Sequence, residues 1–326
     1  MGLTLASLMA SLIAPFAIGP AAAHRATLTG NPDRNGYYYD FGKSQARRKH
    51  DQWSLRVTRT RDAWATSLGR GVTVAIVDSG VGPTWELSGQ LARGTNLAGR
   101  PTPRVDRVDH GTAVASLIAA RRGPHGITGV APEARVLSVR VFDEYEAPPK
   151  RVVHGIRWAV DHGADVLNLS LVDKDSPELR GAVRYALHHN VIVVAGSGNE
   201  RESGSPVQYP AAYPGVIAVG AVDDDLELAD FSNEGSYVDV VAPGDHVLAC
   251  DPFGTLSWYS GTSFSTPVVA GVVALMKAAY PRLRAAQAER ILRSTARDLG
   301  APGRDRMYGS GLVDAARAVR AARALR

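Results

Sequence analysis

From Trp53 onward the chain alternates short, continuous apolar runs with longer stretches of helical spacing, and this alternation restricts it to few architectures. The runs are Val72–Val77, Arg135–Val141, Val166–Leu171, Val191–Ala195, Val216–Gly220 and Val238–Ala242. They are rich in valine and isoleucine and lack the strict polar alternation of a half-exposed strand, so they are expected to be strands buried on both faces. Thr112–Ala120, Val152–His162 and Leu179–His189 have helical spacing, and a fourth apolar helix is expected over Val268–Ala279, just after Pro267. Strands that alternate with helices of about 10 to 15 residues imply βαβ units. The expectation is a three-layer α/β fold with a mainly parallel central sheet flanked by helices. Ligands then belong at the carboxyl ends of the strands.

The 326 residues show no internal repeat and no linker after residue 53, so one domain over residues 53–326 is expected. The basic excess, 37 Lys and Arg against 32 Asp and Glu, is spread along the chain. No basic stretch is interleaved with aromatics, so the charge reads as a solvated surface and no nucleic-acid partner is expected. The single cysteine, Cys250, excludes an intrachain disulfide and is expected to be a partly buried small hydrophobe.

Residues 1–23 read as a signal peptide: Leu3–Ile18 is nearly all apolar or small, and Ala21-Ala22-Ala23 supplies the small residues of a cleavage site, although no Lys or Arg precedes the apolar run. The expected location is therefore extracellular, the alternative being attachment to the outer face of the membrane by an uncleaved N-terminal segment. Residues 24–52, polar with the basic patch Arg47-Arg48-Lys49, read as a leader or short pro-segment. No later segment is expected to span a bilayer.

Three local features carry chemistry. Ser263 lies in Ser260-Gly261-Thr262-Ser263-Phe264-Ser265-Thr266-Pro267, beside a glycine and near a helix start, where the helix dipole is positive; taken alone it reads equally as an N-cap. His110 directly precedes Gly111 and an apolar helix. Asp78 ends the apolar run of Val74-Ala-Ile-Val-Asp78, where a carboxylate is costly unless paired, and a histidine would pair it. Their order along the chain is Asp, His, Ser, one of the known orders of a serine-protease triad.

On these residues the chain resembles the subtilisin family of serine proteases over about residues 53 to 320. The matching stretches are Val77-Asp-Ser-Gly80, His110-Gly-Thr112, Leu167-Asn-Leu-Ser-Leu171, Ala195-Gly-Ser-Gly-Asn199, Gly261-Thr-Ser-Phe-Ser-Thr-Pro267 and the closing Tyr308-Gly-Ser-Gly-Leu-Val-Asp-Ala-Ala316. The resemblance implies a subtilisin-like fold and a serine endopeptidase. Ser263 would be its nucleophile, His110 its general base, Asp78 the residue that orients His110, and Asn199 a side-chain donor to the oxyanion. It further implies that Ser170 and Leu171 line an extended substrate, with Ala195, Gly196 and Gly198 as a pocket wall and Gln208 at the pocket base. Where the family often continues with two glycines this chain has Val172 and Asp173. No Asp or Glu is expected at the pocket base, so small or medium uncharged residues are the expected preference at the cleaved position. Activity is expected to rise with pH as His110 loses its proton.

No cofactor is expected. Some subtilisins hold calcium in a loop after the histidine helix, but here that loop, Arg121–Gly126, has two arginines and no carboxylate, so no metal is expected there. The expected partners are peptide or protein substrates, and the expected state is a monomer. Ala113, Tyr209-Pro-Ala-Ala-Tyr-Pro-Gly-Val-Ile-Ala-Val-Gly-Ala-Val222 and Ala229-Asp-Phe-Ser-Asn233 resemble mycosins, actinobacterial subtilases of type VII secretion systems. Mycosins carry a C-terminal membrane helix, whereas Ala315–Arg326 is arginine-rich and amphipathic, so a free secreted enzyme is the expectation and a secretion-complex subunit the rival reading.

Overall fold

A computed structural model describes residues 52–99, 105–123, 126–143 and 147–325. The expected signal peptide over 1–23 and all but the last residue of the expected leader over 24–52 lie outside the described residues. Gln52, the last residue assigned to the leader, is buried and belongs to the fold: its side-chain amide donates to the Thr128 carbonyl (2.8 Å) and accepts from the Thr128 N–H (2.9 Å).

The elements run α1 (Trp53–Val57), α2 (Thr60–Ala63), β1 (Thr73–Asp78), β2 (Thr95–Asn96), α3 (His110–Ala119), β3 (Arg135–Arg140), α4 (Pro149–Asp161), β4 (Val166–Leu169), α5 (Pro177–His188), β5 (Ile192–Gly196), β6 (Ile217–Val222), β7 (Val240–Pro243), β8 (Val247–Cys250), β9 (Leu256–Tyr259), α6 (Thr262–Ala279), α7 (Ala285–Thr295) and α8 (Ala315–Arg323). Seven strands form one parallel sheet in the order β2-β3-β1-β4-β5-β6-β7, and β8 and β9 form a separate antiparallel hairpin.

Every sheet strand from β3 to β7 and β1 is buried along nearly its whole length, as the unbroken apolar runs require. Alternation sorts the side chains between two cores. Val74, Ile76, Val166, Ile192 and Val194 face a layer that includes α3, α6 and α8, while Ala75, Val77, Leu167, Leu169, Val193 and Ala195 face α4 and α5. Local chemistry starts the helices: at α5 the Ser176 hydroxyl accepts from the Leu179 N–H (3.2 Å) with Pro177 in the first turn, and at α8 Asp314 accepts from the Arg317 N–H (2.8 Å). The alanine and valine stripe of α8, with Ala315, Ala318, Val319 and Ala322, is buried in the main core, and its arginines lie on the other faces.

Two expectations need correction. The final apolar helix begins at Thr262 rather than Val268, so Ser263 is its second residue and Pro267 lies inside it. In addition, α6 is long and apolar enough to cross a bilayer by length and composition, which was expected of no segment after the N-terminus. It is 83% buried within the protein, as the core helix of this layered fold.

β3 and β4 lie on opposite sides of β1, so the strand order reverses around β1. A crevice at the carboxyl edge of β1 and β4 follows from that topology.

Candidate active site

Asp78 is the last residue of β1 and is 1% exposed. It accepts from the Ser79 N–H (2.7 Å) and faces His110, whose Nδ1 lies 2.9 and 3.0 Å from the two carboxylate oxygens. This pairing answers the cost of ending a buried strand on a carboxylate.

His110 opens α3, and the helix is pressed against the turn after β1. A Cβ at Gly111 would come within 2.0 Å of the Gly80 carbonyl and 3.2 Å of Asp78 Oδ1, so only glycine permits this approach. The preceding residue, Asp109, has φ of 71°. That strained turn is fixed by a second carboxylate, Asp106, which is buried and accepts from the Ser79 hydroxyl (2.8 Å), the Val108 N–H (3.0 Å), the Asp109 N–H (3.1 Å) and both the N–H and hydroxyl of Thr112 (2.8 and 2.7 Å). Burial pushes the Asp106 carboxyl above the usual range, against the pull of these bonds. Burial works against the imidazolium of His110, but the charge and hydrogen bond of Asp78, with help from Asp106, outweigh it and hold His110 above its ordinary value of 6.5.

Ser263 sits in the first turn of α6, after Gly261 at φ 145°. Phe264 packs its ring 5.4 Å from that of His110, which brings the nucleophile's helix beside the base. The Ser263 hydroxyl donates to the Ser170 carbonyl (3.4 Å) rather than to His110, a resting arrangement of the kind that tightens when substrate is bound. Asn199 follows β5 and accepts through Oδ1 from the N–H and the hydroxyl of Thr262 (2.8 and 2.9 Å). With Oδ1 occupied, the amide is oriented and its NH2 end lies beside Gly261. Among the described residues neither Asn199 Nδ2 nor the Ser263 N–H has a hydrogen-bond acceptor, so two donors stand unpaired at one helix start.

The residues expected to line a substrate pocket follow neighbouring strands. Ser170 and Leu171 follow β4, while Ala195 and Gly196 end β5 with Gly198 just beyond. Gln208 faces Gly198, and Tyr209 forms a bridge with Asp173 in both directions (2.7 and 3.3 Å), which ties the Val172-Asp173 segment to the Gln208 segment. Contrary to the expectation of no acidic residue beside Gln208, a glutamate lies against it. The Glu200 carboxylate accepts from Gln208 Nε2 (3.1 Å), Asn233 Nδ2 (3.1 Å) and the Asn199 N–H (2.9 Å). Sequence reasoning missed Glu200, Asn233 and Asp106. Only the adjacency of Glu200 to Asn199 pointed to any of them.

The described residues of the loop after α3 include two arginines and no carboxylate, a poor setting for a hard cation. The guanidinium groups of Arg121 and Arg122 lie over the rings of Trp85 and Trp64 at 4.8 and 5.3 Å. The nearby Gln52 amide is closed on Thr128, and the Glu86 carboxylate takes the Cys250 thiol at 3.4 Å. No cluster of three His, Cys, Asp or Glu suited to a metal occurs among the described residues. Cys250 is fully buried, where partial burial is expected from the sequence, and burial pushes its thiol far up.

A parallel α/β sheet carrying a buried Asp–His pair and a serine at a helix start, in that chain order, has the arrangement of the subtilisin class of serine hydrolases. Residues 69–311 match the subtilase family model of peptidase S8, and the chain belongs to that family of serine-type endopeptidases. It is 36% identical over 266 residues to the minor extracellular protease Epr of Bacillus subtilis, covering 81% of this chain and 41% of Epr. It is 38% identical over 250 residues to subtilisin E of Bacillus subtilis, covering 76% of this chain and 65% of that protein. The solved structure of a protease from Pseudoalteromonas arctica superposes with a TM-score of 0.77 at 30% identity, covering 84% of this chain and 98% of that one. The chain thus spans less than two thirds of the length of Epr and of subtilisin E.

Proposed function

We propose that this chain is a secreted endopeptidase that cleaves peptide bonds of peptide or protein substrates through an acyl-enzyme on Ser263. The observation that carries this reading is the buried Asp78–His110 pair, closed at 2.9 Å on the nitrogen opposite the one that would serve as base. With Nδ1 committed to Asp78, Nε2 is the free nitrogen of His110. A turn of the Ser263 side chain from the Ser170 carbonyl towards Nε2 lets His110 take the hydroxyl proton as Oγ attacks the peptide carbonyl. The imidazolium is stabilised by Asp78 and returns the proton to the leaving amine. Water then repeats the sequence in reverse and frees the acid product. Asn199 Nδ2 and the Ser263 N–H are the donors we assign to the oxyanion of both tetrahedral intermediates. The base, nucleophile and oxyanion donors all come from the chain, and the reading requires no cofactor and no calcium at the 121–126 loop. Residues 1–23 are assigned as the signal for export and 24–51 as a leader; the enzyme acts as a monomer.

The Glu200 carboxylate is already paired with Gln208 Nε2, Asn233 Nδ2 and the Asn199 N–H, which supports a preference for small or medium uncharged side chains at the cleaved position. Matured protein should be labelled by a fluorophosphonate, and Ser263→Ala should lose both labelling and peptide hydrolysis, the latter by at least about 10⁴-fold in kcat. A Ser263→Ala protein that still turned over peptide at the parent rate would refute the assignment.

A further inference from the structure

The sixth residue of α6, Pro267, has no N–H to give to the carbonyl four residues earlier, and that carbonyl belongs to Ser263. The orphan is filled from outside the helix: the Ser170 hydroxyl donates to the Ser263 carbonyl at 2.7 Å. Ser170 is itself held by Asn168, whose Nδ2 donates to its hydroxyl at 2.9 Å. Asn168 is fully buried in β4, and its Oδ1 has no partner among the described residues. An apolar residue at that site would leave no polar atom stranded, so stability alone does not account for the amide. What the amide does is fix the rotamer of Ser170.

We propose that the Ser170 side chain, oriented by Asn168, is a positioning residue that sets the geometry of the nucleophile by holding the carbonyl which Pro267 leaves unpaired. This inference rests on Ser263 being the nucleophile, as proposed above. The Ser263 carbonyl shares its Cα with the attacking hydroxyl and the N–H assigned to the oxyanion. Holding the carbonyl fixes the position of that Cα, and a shift of the Cα carries the hydroxyl and the N–H with it. The two serines clasp each other, with the Ser263 hydroxyl on the Ser170 carbonyl at 3.4 Å and the Ser170 hydroxyl on the Ser263 carbonyl. The first contact has to break when Oγ turns to His110, and the second remains as the pivot. Because Ser170 continues β4, the segment assigned to pair with substrate, the same bond ties the substrate-lining strand to the helix that carries the nucleophile.

The test compares Ser170→Ala, Pro267→Ala and the double variant for kcat, KM, fluorophosphonate labelling rate and melting temperature. Ser170→Ala should lower kcat and the labelling rate about 10-fold, the scale of a modest misplacement of a reacting group, while KM stays within about twofold because the main chain of Ser170 and Leu171 is intact. Pro267→Ala restores a helical N–H within reach of the Ser263 carbonyl, so in the Ser170→Ala background it should recover most of the lost kcat. Parent-like kcat in Ser170→Ala, a loss carried by KM, or a loss that the double variant leaves unrepaired would each overturn the proposal. If Ser170→Ala does not fold, Asn168→Ala is read in its place: it keeps the hydroxyl but frees its rotamer, and a drop of about threefold in labelling rate is expected, parent-like labelling being the contrary result. Failure of the parent itself to be labelled would instead refute Ser263 as nucleophile.

Discussion

Two carboxylates that lie outside the triad organise the two halves of the site, and they do so differently. On the catalytic side Asp106 is buried and saturated by five donors, three of them backbone N–H groups of the His110 turn. On the pocket side Glu200 is only partly buried and is gripped by one backbone N–H and by the side-chain amides of Gln208 and Asn233. Backbone donors cannot be exchanged without changing the fold, whereas amide side chains can be exchanged one at a time. The first arrangement suits a geometry that must not vary, namely the placement of an imidazole against a carboxylate. The second suits a surface whose shape sets which side chain is accepted. On the proposed function, the contrast separates rate from selectivity within one crevice.

Asn199 belongs to both halves, since its N–H is held by Glu200 and its Oδ1 by Thr262 beside the nucleophile. Asn199→Ala is therefore the strongest test of the division. The variant should lose about 10² to 10³ in kcat with little change in KM, a magnitude taken from subtilisin, a relative of this chain. Steady-state kinetics on a peptide substrate reads the two parameters apart, and a loss confined to KM would place Asn199 with the pocket instead. Gln208→Gly is the converse. It should remove bulk and one clasp from the pocket base, uncovering the Glu200 carboxylate, and shift the cleaved-position preference towards large or basic side chains by about 10-fold in kcat/KM, while kcat on the best substrate stays near that of the parent. A peptide-library profile unchanged by this substitution would break the distinction between the two sides.

Much of the catalytic half was legible in the sequence because its groups coincide with local patterns. Asp78 ends an apolar run, His110 opens a helix and Ser263 follows a glycine by two positions. Each residue is marked by its neighbours in the chain. The start of α6 was misplaced because a proline is ordinarily read as the first turn of a helix. Here the missing bond is replaced by Ser170, 93 residues away in sequence, which no local pattern can register. Glu200 escaped notice for the same reason, since its partners Gln208 and Asn233 lie 8 and 33 residues further on. β2 and the β8–β9 hairpin are strands of two and four residues, below the length at which periodicity is informative. The fold was thus readable wherever burial dictates composition, and the pocket was not, because its shape arises from contacts between distant polar residues.

A further carboxylate, Asp239, shows what a buried acid does away from both halves, and gives the smallest expected effect. Asp239 precedes β7 at the opposite, amino-terminal end of the sheet, where its Oδ2 accepts from the Ala218 N–H (3.1 Å) and Arg304 and Arg293 stand at 3.8 and 4.0 Å from Oδ1. Burial pushes its carboxyl up to about 6, against the Ala218 bond. In the unfolded chain its value is the ordinary 3.8. Between these two values the folded state holds the extra proton, so the group's contribution to stability falls as pH rises through that window, and the deficit is complete above about pH 6. An asparagine side chain in its place would not ionise and would keep an oxygen for the Ala218 N–H. Asp239→Asn should therefore be more stable than the parent by roughly 2 kcal/mol at pH 7 and no more stable at pH 4, with peptidase activity unchanged. Urea unfolding at the two pH values measures this. An equal gain at both would mean that ionisation is not the cause. A fall in kcat would mean that the far end of the sheet is not independent of the crevice, and the separation between a structural carboxylate and the two that shape the site would fail.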